Sequence, residues 1–164
     1  MTREEAKAYL RLETAQEDAL VDGLVASATG LAEAYLGTAL VRRAVEEVLP
    51  ADGRWRRLGE APVQAITGVT GADGSALAAG AFAVDIDGAG EGWVRASGPG
   101  RVRVRYTAGR AETAAGVPAA IAQGVIRLAA HLYTHRDDGA APPAAVTALW
   151  RPYRRLRLGL EVRA

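Results

Sequence analysis

The chain has 164 residues, of which 49% are hydrophobic and 24% charged, and its formal net charge is +1. This composition is that of a globular protein of one domain, or one domain and a tail, with a real core. The absence of cysteine excludes disulfides and thiolate chemistry and fits a cytoplasmic origin. No run approaches the roughly 18 uncharged apolar residues of a membrane span, and the start MTREEAKAYL is charged, so we expect neither membrane insertion nor secretion.

Two helix starts are predicted near the N-terminus. Thr2-x-x-Glu5 and Thr14-x-x-Glu17 both match the capping box, in which the two side chains satisfy free backbone N–H groups at a helix start. The first box opens a short helix that runs to about Arg11, and the second opens a longer helix.

The longer helix carries an apolar stripe. Its members recur every three or four residues, as on one face of a helix: Leu20, Leu24, Ala28, Leu31 and Tyr35. Gly37 follows at the position where a left-handed glycine ends a helix. We therefore expect residues 1–37 to form a packed helical pair with acidic residues on its outer face.

Residues 38–109 are predicted to form a small, mostly antiparallel β-sheet. Short runs rich in β-branched residues are separated by the turn signals Asp73-Gly74, Asp87-Gly88 and Gly98-Pro99-Gly100. Asp73-Gly74 is typical of a hairpin, because glycine tolerates the positive φ of the turn. The predicted strands are Val41–Leu49, Pro62–Val69, Ala81–Ile86, Trp93–Ala96 and Arg101–Thr107.

The last of these strands, RVRVRYTAGR, alternates arginine with apolar residues. Strand geometry predicts that Val102, Val104 and Tyr106 face the core, and that the row Arg101, Arg103 and Arg105 lies on the opposite face. Such a row could hold a nucleic-acid backbone, form half of a protein–protein interface, or keep a sheet soluble. The residues alone leave these three possibilities open.

Helical patterning returns at Val117-Pro118 and is predicted to run to about Arg136. Residues 137–143 form a loop, and a last short helix ends at Trp150 because Pro152 breaks it. The predicted fold class is α+β, with an N-terminal helical pair (1–37), a small antiparallel β-sheet insertion (38–109) and C-terminal helices (117–150). One domain, 1–150, is followed by a basic tail, 151–164.

Charge is distributed unevenly along the chain. Residues 1–36 carry seven acidic residues against three basic ones, whereas residues 141–164 carry five arginines against Glu161. Such polarity can steer the assembly of a protein on copies of itself or on a second protein.

No catalytic, cofactor or metal site is predicted. His131 and His135 have the spacing of a metal pair, but HLYTH lacks the glutamate of the metalloprotease signature and no third ligand completes a site. We interpret both as ordinary surface or interface histidines. The run Asp85–Gly92 fails the ligand spacing of a calcium loop and is interpreted as a glycine-rich turn.

Two segments interleave aromatic residues with arginine, as sites for single-stranded nucleic acid do: RWRR at 54–57 and RPYRRLRLG at 151–159. The near-neutral overall charge argues against a dedicated nucleic-acid domain. A nucleic-acid-binding regulatory protein that uses the arginine-rich strand and the C-terminal arginines is therefore the alternative hypothesis.

Four segments, in order, resemble the head–tail connector (adaptor) family of tailed bacteriophages and of gene transfer agents. They are EEAKAYLRLETAQEDALVDGLVASATGLAEAYLGTAL, LGEAPVQAITGVTGADGSAL, VRVRYTAG with VPAAIAQGVIRLAAHLYTHR, and VTALWRPYRR. Each segment alone is weak, and their joint order and spacing over nearly the whole chain carry the resemblance. The Ala- and Gly-rich segment 77–93 departs from the family pattern, as does His135, where an acidic residue is expected.

The resemblance implies a structural protein without enzymatic activity or cofactor, made in the bacterial cytoplasm and located at the head–tail junction of the particle. It implies a ring, usually of twelve subunits, under the capsid portal. The portal protein binds on one side and a stopper or tail-joining protein on the other, and DNA passes through the channel without sequence-specific binding. The family's C-terminal segment reaches toward the portal, which assigns portal docking to Trp150, Arg151, Tyr153, Arg154, Arg155 and Arg157. In such a ring, Arg101, Arg103 and Arg105 would lie either at a subunit interface or on the channel wall, and we favour contact with the acidic helices of a neighbouring subunit.

Overall fold

The computed structural model describes residues 1–135 and 141–155, and the backbone of Val162–Arg163. The α+β fold class is confirmed: helices come first, then an antiparallel sheet, then helices. The elements are α1 (Arg3–Leu10), α2 (Asp18–Leu36), β1 (Arg43–Arg57), β2 (Val63–Gly71), β3 (Phe82–Ile86), β4 (Gly92–Ala108), α3 (Ala119–Thr134), α4 (Ala144–Trp150) and β5 (Val162–Arg163). Short 3-10 turns occupy Ala114–Gly116 and Arg151–Tyr153.

The chain divides into two compact units. The helical unit comprises Met1–Leu40 and Thr113–Leu156, and the sheet unit comprises Val41–Glu112 together with β5. The division into a domain at 1–150 and a tail at 151–164 stays a prediction.

The first predicted capping box is confirmed and the second is wrong. The Thr2 side chain accepts a hydrogen bond from the Glu5 N–H at 3.2 Å, and the Thr2 N–H donates to the Glu5 carboxylate at 2.7 Å. Helix α2 instead begins at Asp18, after Glu17, with no side-chain cap. The Lys7 ammonium explains the difference, because it binds the Thr14 carbonyl at 2.7 Å and the Asp18 carboxylate at 2.5 Å and so holds this connection as a turn.

In the predicted core stripe of α2, Ala28 is confirmed as buried, but the buried face is turned by about one residue relative to the predicted leucines. Leu20 and Leu31 are 40% and 51% exposed. The buried residues are Val21, Ala28, Ala32 and Leu36. Small alanines on the inner face let α2 approach its neighbours closely, and the bulky leucines remain outside. Gly37 ends the helix with φ of 66°, as predicted.

By length and composition, α2 would suffice to cross a membrane, with a mean hydropathy of 1.2 over an 18-residue window. Core helices of soluble proteins meet the same criterion. In this chain α2 packs in the helical unit through its alanine side, and 22% of the window is buried. Helix α2 is thus an apolar helix with much of its surface uncovered within the chain.

Strand β4 is central to the sheet, whose order is β2-β4-β1-β5 with β3 also paired to β4. The prediction of separate strands at 93–96 and 101–107 is wrong. They form one strand, because residues 98–100 bulge opposite Ala51 of β1 instead of making a turn. Strand β1 likewise continues past Pro50, where the register shifts, to Arg57.

The predicted turns at Asp73-Gly74 and Asp87-Gly88 are present. Gly74 has φ of 90°, and its N–H donates to the Gly71 carbonyl at 2.8 Å. Strand β3, which follows this turn, pairs with β4 and not with β2, so the hairpin predicted at Asp73-Gly74 is wrong. The Asp87 carboxylate accepts the N–H groups of Ala89 and Glu91, both at 2.9 Å, and so shapes the β3–β4 hairpin loop.

The core of the sheet unit includes the residues predicted to face inward. Val102, Val104 and Tyr106 are buried and pack with Leu58, Val63, Val69 and Val94. The Tyr106 hydroxyl donates to the Glu47 carboxylate and accepts the Glu60 N–H at 3.2 Å. Burial, with the acceptor Glu47 beside it, raises the pKa of Tyr106 above its usual value, so the phenol stays a donor.

Replacing Tyr106 with phenylalanine removes this buried hydroxyl while keeping the ring. Glu47 then loses a donor and the Glu60 N–H loses its acceptor, so we expect the free energy of unfolding to fall by about 1–3 kcal/mol. Urea denaturation of Y106F measures the change. The matched control is Y9F, because Tyr9 is an exposed tyrosine. An equal, small effect of both substitutions would contradict the expectation.

Candidate interaction surfaces

The arginine row of β4 lies on the face of the sheet opposite the core, as predicted. An acidic residue of the neighbouring strand lies beside this row, because Glu46 of β1 is paired with Arg105 in the register. The Glu46 carboxylate binds Arg103 Nη1 at 3.0 Å and Arg105 Nε at 2.8 Å. One carboxylate thus holds two of the three arginines in fixed positions.

Backbone carbonyls bind the same row. Arg101 Nη2 donates to the Val48 carbonyl at 3.0 Å, and Arg103 Nη2 donates to the Ala72 carbonyl at 2.8 Å. With three guanidinium groups and one carboxylate, this face keeps an excess of positive charge. The side chains are organised before any partner binds, which lowers the entropy cost of binding.

The second arginine-rich segment, 54–57, lies at the end of β1. Arg56 pairs with Asp52 at 2.6 Å, and the Arg95 guanidinium lies 5.3 Å from the centre of the Trp55 ring. The Trp93 indole N–H donates to Asp87 at 3.2 Å. The Arg95–Trp55 contact joins β4 to β1, whereas Arg56 and Trp93 each bind an aspartate, so the groups of this segment are engaged within the sheet unit.

At the C-terminal end of the helical unit, Trp150 is 3% exposed. Its Nε1 donates to the Ile121 carbonyl at 3.2 Å, and its ring centre lies 5.8 Å from that of Tyr35. A side chain at Gly124 would collide with the indole, so this glycine makes room for it. Trp150 thus anchors the segment that follows it and does not present its own ring.

The segment after Trp150 lies against the C-terminal end of α2. The Arg154 guanidinium is 5.1 Å from the centre of the Tyr35 ring, and the Arg155 N–H donates to the Leu36 carbonyl at 2.9 Å. Arg151 and Arg154 are exposed, and Tyr153 is half-buried. Arg157 falls outside the described residues.

No protein-family model matches the chain, and no curated protein does either. Solved structures do match. A chain in the neck of an empty GTA (gene transfer agent) particle, computed with C6 symmetry, is 28% identical with a TM-score of 0.77, over 96% of this chain and 91% of that one. A chain in the virion of a native GTA particle is 29% identical with a TM-score of 0.73, over 98% and 93%.

A third match is a chain in the neck of a native GTA particle computed with C12 symmetry. It is 30% identical with a TM-score of 0.69, over 86% of this chain and 85% of that one. The chain belongs to the head–tail connector (adaptor) family. It is therefore a component of a phage-like particle.

His131 and His135, which have the spacing of a metal-binding pair, lie together in this connector. The rings of His131 and His135 stack with their centres 4.3 Å apart. Among the described residues, no group of three or more His, Cys, Asp or Glu side chains could hold a metal ion. Asp137 and Asp138, the nearest acidic residues in sequence, fall outside the described part of the chain.

Sequence reasoning missed two residues that organise the connector's surfaces, Glu46 and Tyr35. The alternation in RAVEEVLP, taken with the antiparallel register to RVRVRYTA, was the available signal for Glu46. Tyr35 was assigned to the core stripe of α2, whereas its ring lies against Trp150 and Arg154.

Replacing Glu46 with glutamine tests the pairing in the arginine row. The hydrogen bond from Arg105, together with the positive charges of Arg103 and Arg105, holds the pKa of Glu46 below its usual value of 4.5. The stabilisation of the folded state by ionised Glu46 is therefore complete above pH 4.5, and it is lost as pH falls through the lower pKa that Glu46 has in the folded state. We expect E46Q to lose this acid-dependent part of the unfolding free energy.

Urea denaturation of E46Q and wild type from pH 7 down to acid measures this difference. The control is E13Q, because Glu13 is an exposed acid of the helical unit. The same pH profile for E46Q as for wild type would refute the pairing.

Proposed function

We propose that the chain forms a ring of identical subunits at the head–tail junction, joining the portal to the stopper or tail while DNA passes through the central channel. The observation that carries this proposal is the similarity to GTA neck chains, at 28% and 30% identity with TM-scores of 0.77 and 0.69. The imposed C6 and C12 symmetries of those necks support a ring that repeats the chain around an axis. The proposed role is structural and requires no catalytic group.

The C-terminal segment is the proposed portal-docking element. Trp150 and Tyr35 anchor it to the helical unit, and Arg151 and Arg154 present exposed positive charge next to the anchor. We assign Arg151, Tyr153, Arg154 and Arg155 to the contact, with Trp150 positioning them. Arg157 is retained from the sequence-based assignment.

The arginine row fits a protein contact better than a nucleic-acid site. Arg103 and Arg105 already share Glu46, so DNA phosphates would have to compete with a carboxylate bound at 2.8 to 3.0 Å. An acidic protein surface can instead extend the network by binding around Glu46. We therefore assign Arg101, Arg103 and Arg105 to the contact between neighbouring subunits and not to the channel wall.

Deletion of the gene from the producing bacterium tests the proposed function. We expect heads that carry portals but no tails, visible by electron microscopy, because the joint between portal and tail is missing. Adding purified wild-type chain to these heads should place a ring under the portal. Deletion particles with normally attached tails would contradict the proposal.

Charge reversal in the C-terminal segment tests the docking element separately. We expect R151E and R154E each to weaken binding to the tailless heads by about tenfold or more, which corresponds to roughly 1.4 kcal/mol. Binding of purified chain to the heads, measured by co-sedimentation at several concentrations, gives the affinity. The control is R110E, the same charge reversal at an exposed arginine of the sheet unit. Unchanged affinity for both C-terminal variants would remove the segment from the portal contact.

A further inference from the structure

Helix α2 has a second apolar face that the chain leaves open. Leu20, Leu24 and Leu31 are spaced by four and seven residues, so at 3.6 residues per turn they lie along one side of the helix. Leu20 and Leu31 are 40% and 51% exposed, and Leu24 is half-buried. Apolar side chains on one stripe of a helix normally face a partner.

Small residues lie between this leucine edge and an acidic edge. Gly23, Gly30 and Ala34 are exposed, and added Cβ atoms at the two glycines would meet nothing within 4 Å. Asp22 lies on the far side of them around the helix, as does Glu33, which is half-buried and accepts the Leu40 N–H at 2.7 Å. The outer face of α2 thus has leucines along one edge, acidic residues along the other and small side chains between them. Small side chains in the middle let a flat surface approach the helix closely.

The outward face of the sheet has the complementary properties. Val48 of β1, opposite Arg103, is 38% exposed, and Pro50, opposite Arg101, is exposed as well. These apolar residues adjoin the arginine row, where three arginines face one glutamate. The face is therefore apolar along β1 and positively charged along β4.

The charges of the two faces are opposite. Helix α2 carries three acidic residues, Asp18, Asp22 and Glu33, and no basic residue, a net of 0 − 3 = −3. Asp22, for example, keeps a 55% exposed side chain although it binds Arg3 at 2.9 Å. Opposite charges on two different surfaces orient an association between copies, and like faces repel one another.

We propose that the outer face of α2 in one subunit packs on the outward sheet face of the next subunit. The leucine edge covers Val48 and Pro50, and the acidic edge lies beside Arg101, Arg103 and Arg105. Because the two surfaces differ, each subunit offers one and receives the other, which is the head-to-tail contact that closes a ring. This inference rests on the ring proposed above and names its lateral contact.

Cysteine cross-linking tests the contact without competing thiols from this chain, which contains no cysteine. The test variant carries L31C and V48C in one chain and is assembled on tailless heads. A short bis-maleimide reagent should then produce a ladder of covalent oligomers up to the full ring on a denaturing gel. A mixture of single L31C and single V48C chains should stop at dimers.

The control variant pairs L31C with V84C, because Val84 is 44% exposed but lies on the core side of the sheet, opposite Val94. We expect no ladder from it. Intact rings of the L31C/V48C variant that stay uncross-linked, or an equal ladder from the control, would overturn the lateral contact. If wild-type chain formed no ring on the tailless heads, the proposed function itself would be overturned. That outcome is observed without any cross-linker, so the two failures can be distinguished.

A second variant does not depend on cysteine chemistry. We expect L31D to lose ring formation on the heads while the isolated chain melts like wild type, because Leu31 is largely exposed. V84D, the matched control, should assemble normally. Normal assembly of L31D would overturn the proposal.

Discussion

The pairing of β4 with each of the other long strands determines both faces of the sheet unit. Outside the bulge at residues 98–100, its even-numbered residues, including Val94, Val102, Val104 and Tyr106, face the core, and its odd-numbered residues face outward. A one-residue slip would exchange the two faces. The bulge does not cause such an exchange. Three residues of β4 lie opposite one residue of β1, so β4 gains two extra residues, and side chains alternate between the faces with a period of two. The same valine face therefore continues on both sides of the bulge.

This register also brings Glu46 to the arginine row. Because Glu46 is paired with Arg105, its carboxylate reaches both Arg105 and Arg103. Its negative charge reduces the repulsion among the three guanidinium groups of the row. Exposed pairs of this kind contribute modestly to stability. Their consequence is geometric, since the arginines are fixed in a defined arrangement on the outward face.

The sequence predicted element types well and contacts between elements less well. The alternation of RVRVRYTA placed Val102, Val104 and Tyr106 in the core, because strand geometry alone decides that. Helix α2 is apolar on two sides, so periodicity could not tell the alanine face that packs from the leucine face that is exposed. The Gly98-Pro99-Gly100 signal was read as a turn because a long-range register shift cannot be seen locally. Trp150 was assigned to a surface, and only tertiary packing against Ile121, Gly124 and Tyr35 reveals its burial.

A ring built on a template has a reason to keep its lateral contacts weak. If exposed leucines and arginines associated strongly in free solution, open head-to-tail chains would form before any portal was available. In the proposed assembly, a subunit held on the portal by its C-terminal segment would meet its neighbour at a high effective concentration, so modest contacts would suffice. The proposed docking arginines follow α4, whereas the proposed lateral faces lie on α2 and on the sheet, so the two kinds of contact use different elements. We therefore expect portal binding to precede ring closure.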